Sequence, residues 1–273
     1  MSAAAQAAAA ATVTEPTGFI RRERDGKIGI IVLDRPQSRN ALKSAMYGEI
    51  ADALRAYQAD DGINVILIRG EGRDFCAGND IGDFQRFGDV VEKTGLDPQT
   101  IVGRKTPSID LVHVLMETDK PIIGCIQGNA VGFGATMLLH FDFIVAEPDT
   151  RIKFPFVDLA MVPEAGSSLL LKERVGYLKA ARILFTSERI EAAEALALDL
   201  VSEVVGAGEG AARGMAIATA LAAKPPIALQ ATKRLLRRDT EPLAERVTEE
   251  FRRIAERSAS AEALAIFATL LKK

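Results

Sequence analysis

Short, continuously apolar runs separated by helix-length segments constrain the fold of this chain more than any other feature. Residues 27–33 (KIGIIVL) and 65–69 (VILIR) are rich in β-branched side chains, and residues 121–126 (PIIGCI) repeat the pattern. Runs that are apolar on both faces suit the buried strands of a parallel sheet. Over residues 41–58, apolar side chains recur every three or four positions, as on one face of a helix. The pattern predicts an α/β core.

The second half of the chain changes from mixed structure to helix. Residues 141–146 and 151–154 predict two further strands, and residues 134–140 leave room for about two helical turns before them. After Ser167 the chain is rich in Ala, Leu, Glu, Lys and Arg, which favour helices. The predicted helices cover residues 169–175, 179–185, 192–198, 211–222, 227–236 and 243–271.

These patterns divide the chain into three parts. Residues 1–17 are nearly pure alanine and small polar residues, and we expect a disordered or partly helical tail without a targeting role. Residues 18–205 form the predicted α/β core. Residues 206–273 form a helical region, and because its apolar stripes have no predicted sheet to cover, they suit subunit contacts.

Composition and residue usage exclude several classes of function. The net charge of −3 argues against nucleic acid as a partner, and no apolar run approaches the roughly 18 residues that cross a membrane. Cys76 and Cys125 indicate reduced thiols in the cytoplasm. His113 and His140 lack a ligand partner at helical spacing, so no metal site is expected. The glycines of residues 128–134 are spaced GxxxGxG, which is not a dinucleotide motif.

Three loops that follow predicted strands carry the candidate chemistry. They cover residues 73–84 (RDFCAGNDIGDF), 127–138 (QGNAVGFGATML) and 154–169 (FPFVDLAMVPEAGSSL). The glycines around Asn79 and Phe133 allow sharp turns that expose backbone N–H groups. Two such donors would stabilise a carbonyl oxygen that becomes an oxyanion, aided by the helix that begins near Gly134. The alternative is that these glycines only make tight turns.

Glu164 is the candidate acid–base residue. Its neighbours Met161, Val162 and Phe156 would desolvate the carboxylate and raise its pKa toward values useful to a general base. The alternative is that Glu164 only stabilises the N-terminus of the helix that follows. Asp158 is a weaker candidate for the same role.

The sequence resembles the crotonase (enoyl-CoA hydratase/isomerase) superfamily. The resemblance rests on CAGNDI (76–81), GNAVGFGATMLLHFDFIVA (128–146) and PEAGSSLLLKERVG (163–176), and it extends over almost everything after the tail. It implies an α/β spiral of ββα units with a helical C-terminal trimerisation region. It also implies a homotrimer or a dimer of trimers that acts on an acyl-CoA substrate without any cofactor beyond that coenzyme A.

The resemblance also implies which residues form the site. The thioester oxygen would be held by the backbone N–H groups of Asn79 and Phe133, and Glu164 would be the acid–base residue. The coenzyme A chain would pass near Arg39 and Ala41. The remaining substrate-binding positions are Ala77, Gly78, Asp80, Ile81 and Gly132.

The resemblance favours an isomerase within this superfamily. Hydratases place two glutamates at positions that are Thr136 and Phe156 in this sequence, so the water-activating pair is missing. Glu164 lies where isomerases place their single acid. The implied reaction is the conversion of 3-enoyl-CoA to 2-enoyl-CoA. Alternatives are an enoyl-CoA hydratase, a ring-epoxide isomerase of the phenylacetate type, and a non-catalytic RNA- or partner-binding protein.

Overall fold

The computed structural model describes residues 18–80, Gly82, and residues 106–237, 240–258 and 260–270. The predicted tail of residues 1–17 and the predicted substrate-binding residue Ile81 lie outside the described residues. No helix in this described part of the chain is long and apolar enough to cross a membrane.

A six-stranded sheet forms the centre of the fold. Its order is β1-β2-β3-β4-β6-β9, and its strands are parallel except for the antiparallel pair β1 and β2. β2, β3 and β4 coincide with the three apolar runs, and nearly all their residues are buried, as a covered parallel sheet requires. The strands are β1 (Ile20–Asp25), β2 (Ile28–Leu33), β3 (Val65–Gly70), β4 (Ile122–Ile126), β6 (Phe143–Ala146) and β9 (Glu203–Val204).

A second sheet consists of three short strands in the order β5-β7-β8. β5 (Asn129–Val131) pairs in parallel with β7 (Arg151–Lys153), and β7 pairs antiparallel with β8 (Arg189–Glu191). β5, β8, β9 and β1 were not predicted. The first three have two or three residues each, too few for alternation to show, and β1 (IRRERD) is a charged edge strand.

Helices cover the sheets and fill the C-terminal half. The first helices are α1 (Ser44–Ala59), α2 (Pro107–Glu117), α3 (Phe133–Thr136), α4 (Ser167–Val175) and α5 (Tyr177–Thr186). The later ones are α6 (Ala192–Ala197), α7 (Gly210–Ala222), α8 (Pro226–Leu236), α9 (Thr240–Ser258) and α10 (Ala261–Leu270). Short 3₁₀ turns occur at Pro36–Ser38, Met137–His140 and Val157–Leu159.

Two predictions about the C-terminal helices were wrong. The single helix predicted over residues 243–271 is two helices, and the second begins after Ser260, a residue type that favours helix starts. The C-terminal helices were also expected to have no sheet to cover, yet Ala218 and Ala222 of α7 pack on the apolar side chains of β2, β3 and β4. α7 can lie close to β4 because residue 214 is a glycine. A Cβ at this position would collide with Cys125 Sγ.

Candidate active site

The three chemistry-bearing loops leave the same edge of the small sheet. β5 and β7 are parallel, so the chain after Val131 and the chain after Lys153 emerge on the same side. The Gly132 N–H donates to the Lys153 carbonyl at 3.0 Å, which joins the second and third loops directly. An isolated parallel bridge between Cys76 and Ala130 adds the first loop to this group. Within the described residues, the structure therefore brings the beginnings of the three loops to one side of the small sheet.

Backbone hydrogen bonds hold the first loop on both sides. On one side, Cys76 N–H donates to the Asn129 carbonyl and the Cys76 carbonyl accepts from Val131 N–H, both at 2.9 Å. On the other side, Leu42 N–H donates to the Gly78 carbonyl at 2.7 Å. Because its backbone is paired like a short strand, this loop has a fixed direction.

Glycines at the meeting point of the first two loops are required by space and by φ. Gly78 has φ +87°, and a Cβ there would lie 2.6 Å from the Val131 carbonyl oxygen. Gly132 has φ +55° and ψ −122°, a conformation that side chains disfavour. A Cβ on Gly134 would lie 2.6 Å from the Cys76 carbonyl oxygen. These glycines therefore serve close backbone approach as well as turning.

The backbone N–H groups of Asn79 and Phe133 lie at this junction. Among the described residues, nothing accepts a hydrogen bond from the N–H of Asn79 or of Phe133. Phe133 is the first residue of α3, where helix geometry leaves the N–H unpaired. Both residues follow a glycine of the close-packed junction, so the two donors lie in the segments that meet there.

Tyr47 of α1 contacts both of these residues. Its hydroxyl donates to Oδ1 of Asn79, and its ring packs edge-on against the Phe133 ring with centroids 4.8 Å apart. Tyr47 and Phe133 are buried. One side chain thus connects the two segments that carry the free N–H groups.

The turn that contains Arg39 and Ala41 is bonded to the first loop. The Arg39 carbonyl accepts from Ala77 N–H at 2.9 Å, and the Arg39 side chain is exposed. Arg35 donates to the Ala41 carbonyl at 2.8 Å and pairs with Asp80 at 2.7 Å. Four of the predicted substrate-binding positions therefore belong to one connected unit, in which Asp80 is engaged in an ion pair.

Asn40, at the centre of that turn, is fully buried and has φ +55°. Its amide nitrogen donates to the carbonyls of Glu71 and Asp74, and its Oδ1 accepts from Arg35 N–H. These bonds replace regular secondary structure in a buried loop, where unpaired backbone groups would be costly.

Glu164 is a buried carboxylate, with 4% of its surface exposed. Among the described residues its Oε1 has no hydrogen-bond partner. Burial raises the pKa of Glu164 to about 8, and the negative charge of Glu250 adds to the effect. The carboxyl group is therefore poised to exchange a proton near neutral pH, as predicted for a general base.

The turn after Glu164 has a strained backbone, and a side chain from another segment holds it. Ala165 has φ +56°, which typically costs about 1 kcal/mol or more for a residue with a side chain. His140 Nε2 lies 2.8 Å from the Ala165 carbonyl oxygen, which can only accept a hydrogen bond. Burial lowers the pKa of His140 to about 4, so the neutral ring donates through Nε2. His140 therefore holds this turn through a hydrogen bond from its buried ring.

Three other positions bear on the chemistry. Asp158, the weaker acid–base candidate, is half exposed and pairs with Lys153 at 2.9 Å. Thr136 is fully buried, and its hydroxyl donates to the Phe133 carbonyl at 3.3 Å. Phe156 is also buried. Neither Thr136 nor Phe156 carries an ionisable group.

Comparison with known proteins identifies the family. The family model for Enoyl-CoA hydratase/isomerase matches residues 23–264. The chain belongs to the enoyl-CoA hydratase/isomerase family. The solved structure of Pseudomonas aeruginosa OdaA aligns with a TM-score of 0.86 at 32% identity, covering 94% of this chain and 100% of that one. The expected crotonase-type α/β fold is thereby confirmed.

The relatives of this enoyl-CoA hydratase/isomerase family member include both hydratases and isomerases. The 2,3-dehydroadipyl-CoA hydratase of Escherichia coli (strain K12) is 30% identical over 218 residues, which are 80% of this chain and 81% of the relative. The 1,2-epoxyphenylacetyl-CoA isomerase of the same organism is 28% identical over 247 residues, which are 88% and 91% of the two chains. The protein is thus an enzyme of this family.

Sequence reasoning missed Tyr47, Asn40 and Glu250 in this enzyme. Tyr47 lies on the apolar face of α1, where periodicity indicates only a core residue. Asn40 lies between two predicted site residues. It could have been found by asking which side chain satisfies the backbone groups of a turn that lacks regular secondary structure. Glu250 is far from Glu164 in sequence, and nothing in the pattern of α9 marks it.

Proposed function

We propose that this protein is an isomerase that converts 3-enoyl-CoA to 2-enoyl-CoA thioesters. The observation that carries the proposal is Glu164, a buried carboxyl group whose Oε1 has no partner in the described part of the chain and whose pKa is raised to about 8. Glu164 lies in the segment after β7, which leaves the small sheet on the same side as the segment that carries Phe133, and the Cys76–Ala130 bridge adds the segment that carries Asn79. One acid–base group with an oxyanion site is sufficient for a proton shift.

The reaction follows from these parts. The Glu164 carboxylate removes a proton from C2, and the C2–H electrons delocalise into a dienolate whose negative charge lies on the thioester oxygen. The N–H groups of Asn79 and Phe133 stabilise that oxygen. Protonated Glu164 then returns the proton to C4, so that the double bond moves from C3–C4 to C2–C3. No water or cofactor takes part, and the coenzyme A belongs to the substrate.

The two positions that distinguish hydratases support an isomerase. By resemblance, a hydratase would have carboxylates at residues 136 and 156, where this chain has a threonine and a phenylalanine, both buried. Neither side chain can take a proton from water. We therefore expect very slow hydration of crotonyl-CoA.

A ring isomerase is the second candidate. It is favoured by the similarity to the 1,2-epoxyphenylacetyl-CoA isomerase of Escherichia coli, which extends over 88% of this chain. Ring and linear substrates share the thioester, so the oxyanion site suits both. The two candidate enzymes would differ in the shape of the region that binds the acyl group.

A panel of thioesters tests the proposal. The purified protein is supplied with 3-enoyl-CoA, crotonyl-CoA and 1,2-epoxyphenylacetyl-CoA, and formation or loss of the conjugated enoyl thioester is followed by its absorbance. We expect rapid conversion of the 3-enoyl substrate alone. Fast crotonyl-CoA hydration would replace the proposal with a hydratase, and selective conversion of the epoxide would replace it with the ring isomerase.

The assembly and compartment are part of the same proposal. We infer a homotrimer or a dimer of trimers in the cytoplasm. Large apolar side chains on α5 and α8 support subunit contacts, because Leu178 is 82% and Leu236 83% exposed in the single chain. Cys76 and Cys125 are free and buried, in keeping with a reducing compartment. Sedimentation velocity would give the oligomeric state, and a monomeric species at micromolar concentration would contradict the inference.

A further inference from the structure

A second buried carboxylate lies on the turn that carries Glu164. Glu250, on α9, is 5% exposed. Its Oε2 accepts from Gly166 N–H at 2.5 Å and its Oε1 accepts from Ser168 N–H at 2.9 Å. Both oxygens therefore bind the first turn of α4, directly after Glu164.

Other side chains of α9 fix this helix on the same turn. A Cβ on Gly166 would collide with Leu243 Cδ1 and would lie 3.1 Å from Val247 Cγ2. Arg246 donates to Ser168 Oγ at 3.2 Å. Because Gly166 has φ +72° and no room for a side chain, Glu250 and the turn are held in one arrangement.

We propose that Glu250 is a positioning residue for Glu164: it holds the turn with both carboxylate oxygens and, by ionising first, leaves the proton of the pair on Glu164. This inference rests on the proposed proton shift and deepens it. It adds a residue of the C-terminal helical region that acts through Glu164 without contacting the substrate.

The hydrogen bonds decide which carboxyl group is protonated. Two buried like charges destabilise each other, so one group of such a pair holds its proton more strongly. Hydrogen bonds from two N–H groups favour the charged form of Glu250, and so does the N-terminus of the nine-residue helix α4. Glu164 Oε1 has no partner among the described residues. Glu164 is therefore the group that takes and releases the proton.

The pKa values agree with this assignment. Burial raises the pKa of Glu250 to about 7, opposed by its bonds to Ser168 and Gly166, while the pKa of Glu164 is raised further, to about 8. The surrounding charges do not reverse the order. Arg246 favours ionised Glu250, and His140 on the other side of the turn is neutral. Asp158, on the neighbouring 3₁₀ turn, is half exposed and paired with Lys153.

The pH dependence of turnover tests the positioning role. In Glu250→Gln, the side chain keeps its size but loses its charge. Ionised Glu164 is then less disfavoured, so the acid limb of kcat/KM should shift to lower pH. The matched control is Glu245→Gln, which removes an exposed carboxylate from the same helix and should leave the limb in place. A purely structural role would lower activity and melting temperature without shifting the limb, and that result would overturn the proposal.

A substrate-free measurement covers the case in which Glu250→Gln does not fold. Infrared spectra of the unmodified enzyme at pH 7 should contain a buried protonated carboxyl band that loses most of its intensity in Glu164→Gln. A band of unchanged intensity in Glu164→Gln would place the proton on Glu250 and overturn the proposal. Because no substrate is used, the expected band in a protein that fails the thioester panel would support the proton assignment while refuting the proposed isomerase reaction.

Discussion

The two segments that carry the Asn79 and Phe133 N–H groups are stabilised in the opposite way to the Glu164 turn. The first are short stretches of backbone paired with neighbouring strands, and their glycines are required by contacts of 2.6 Å. The second is a strained turn with a buried ionisable side chain, held by His140 and by Glu250, which lies 84 residues beyond Gly166. One region is fixed by local pairing, and the other depends on distant parts of the chain.

The two regions meet different requirements: the first must hold its N–H groups rigidly, and the second must let a side chain titrate. Main-chain donors keep their charge distribution at every pH, so they require only a fixed orientation. The β-like pairing of the first loop provides that orientation. An acid–base residue must change its charge in a dry environment, which raises its pKa and makes its ionised form destabilising. The following changes test whether the two regions fail in these different ways.

The largest effect is expected from Glu164→Gln. The substitution keeps the shape of the side chain and removes the only proposed base, so kcat for the 3-enoyl substrate should fall about 10²–10⁴-fold. Binding of the thioester should be nearly unchanged, because the oxyanion donors remain. Steady-state kinetics and a direct binding measurement separate the two quantities. Near-normal turnover would move the chemistry to another residue, with Asp158 the first to examine.

The next largest effect is expected from Asn79→Pro, which deletes one N–H donor. The loss of transition-state stabilisation should be about 3 kcal/mol, or roughly 10²-fold in kcat. Asn79→Ala is the matched control, since it also removes the side-chain amide but keeps the N–H. Thermal melting checks the fold of both variants. If folded Asn79→Pro matched Asn79→Ala in turnover, the oxyanion assignment of this N–H would be wrong.

Much of the first region could be predicted from sequence, for a physical reason. Strand runs and the glycines that follow them are adjacent along the chain, so the order of the residues alone places Gly78 and Gly132 at one sheet edge. Their roles in substrate binding remain predictions. The apolar surroundings of Glu164 were also visible locally, since Met161 and Phe156 lie within eight positions of it.

The contacts that hold the site could not be predicted in this way. The bond from Tyr47 to Asn79 spans 32 positions and the bond from Glu250 to Ser168 spans 82. Periodicity shows which face of α1 or α9 is apolar, but not which loop that face meets. Sequence reasoning therefore named the proposed reacting groups and missed the residues that contact their segments.

An effect on stability, and not on rate, is expected from the buried charge of Glu164. The folded protein retains this proton up to about pH 8, whereas the unfolded chain releases it near pH 4.5. In this window the native state binds more protons, so its stability falls as pH rises, by up to about 1.4 kcal/mol for each pH unit. Glu164→Gln lacks this loss.

Denaturant unfolding at pH 5 and pH 8 measures this effect. Relative to the parent protein, Glu164→Gln should gain stability between the two pH values. Asp158→Asn is a suitable control, because Asp158 is exposed on the same loop and paired with Lys153. A pH-independent difference between Glu164→Gln and the parent would show that Glu164 titrates as an ordinary exposed carboxyl group.

The smallest effect is expected from Tyr47→Phe, which tests whether the link between the two oxyanion segments matters. The ring that packs on Phe133 is kept, and only the hydroxyl that donates to Asn79 is lost. One such hydrogen bond contributes about 1 kcal/mol, so kcat should fall roughly fivefold.

Tyr57→Phe on the same helix is the matched control, because the Tyr57 hydroxyl donates to the carbonyls of Glu23 and Ile30, away from the site. It should lower the free energy of unfolding and leave kcat unchanged. The double variant of Tyr47→Phe with Asn79→Ala sharpens the result. If the hydroxyl acts by orienting the Asn79 side chain, and through it the backbone, the second change should add almost nothing to the first. Full additivity of the two losses in kcat would mean that Tyr47 acts on Phe133 or on the fold alone, and that the two oxyanion segments are aimed independently by their own backbone pairing.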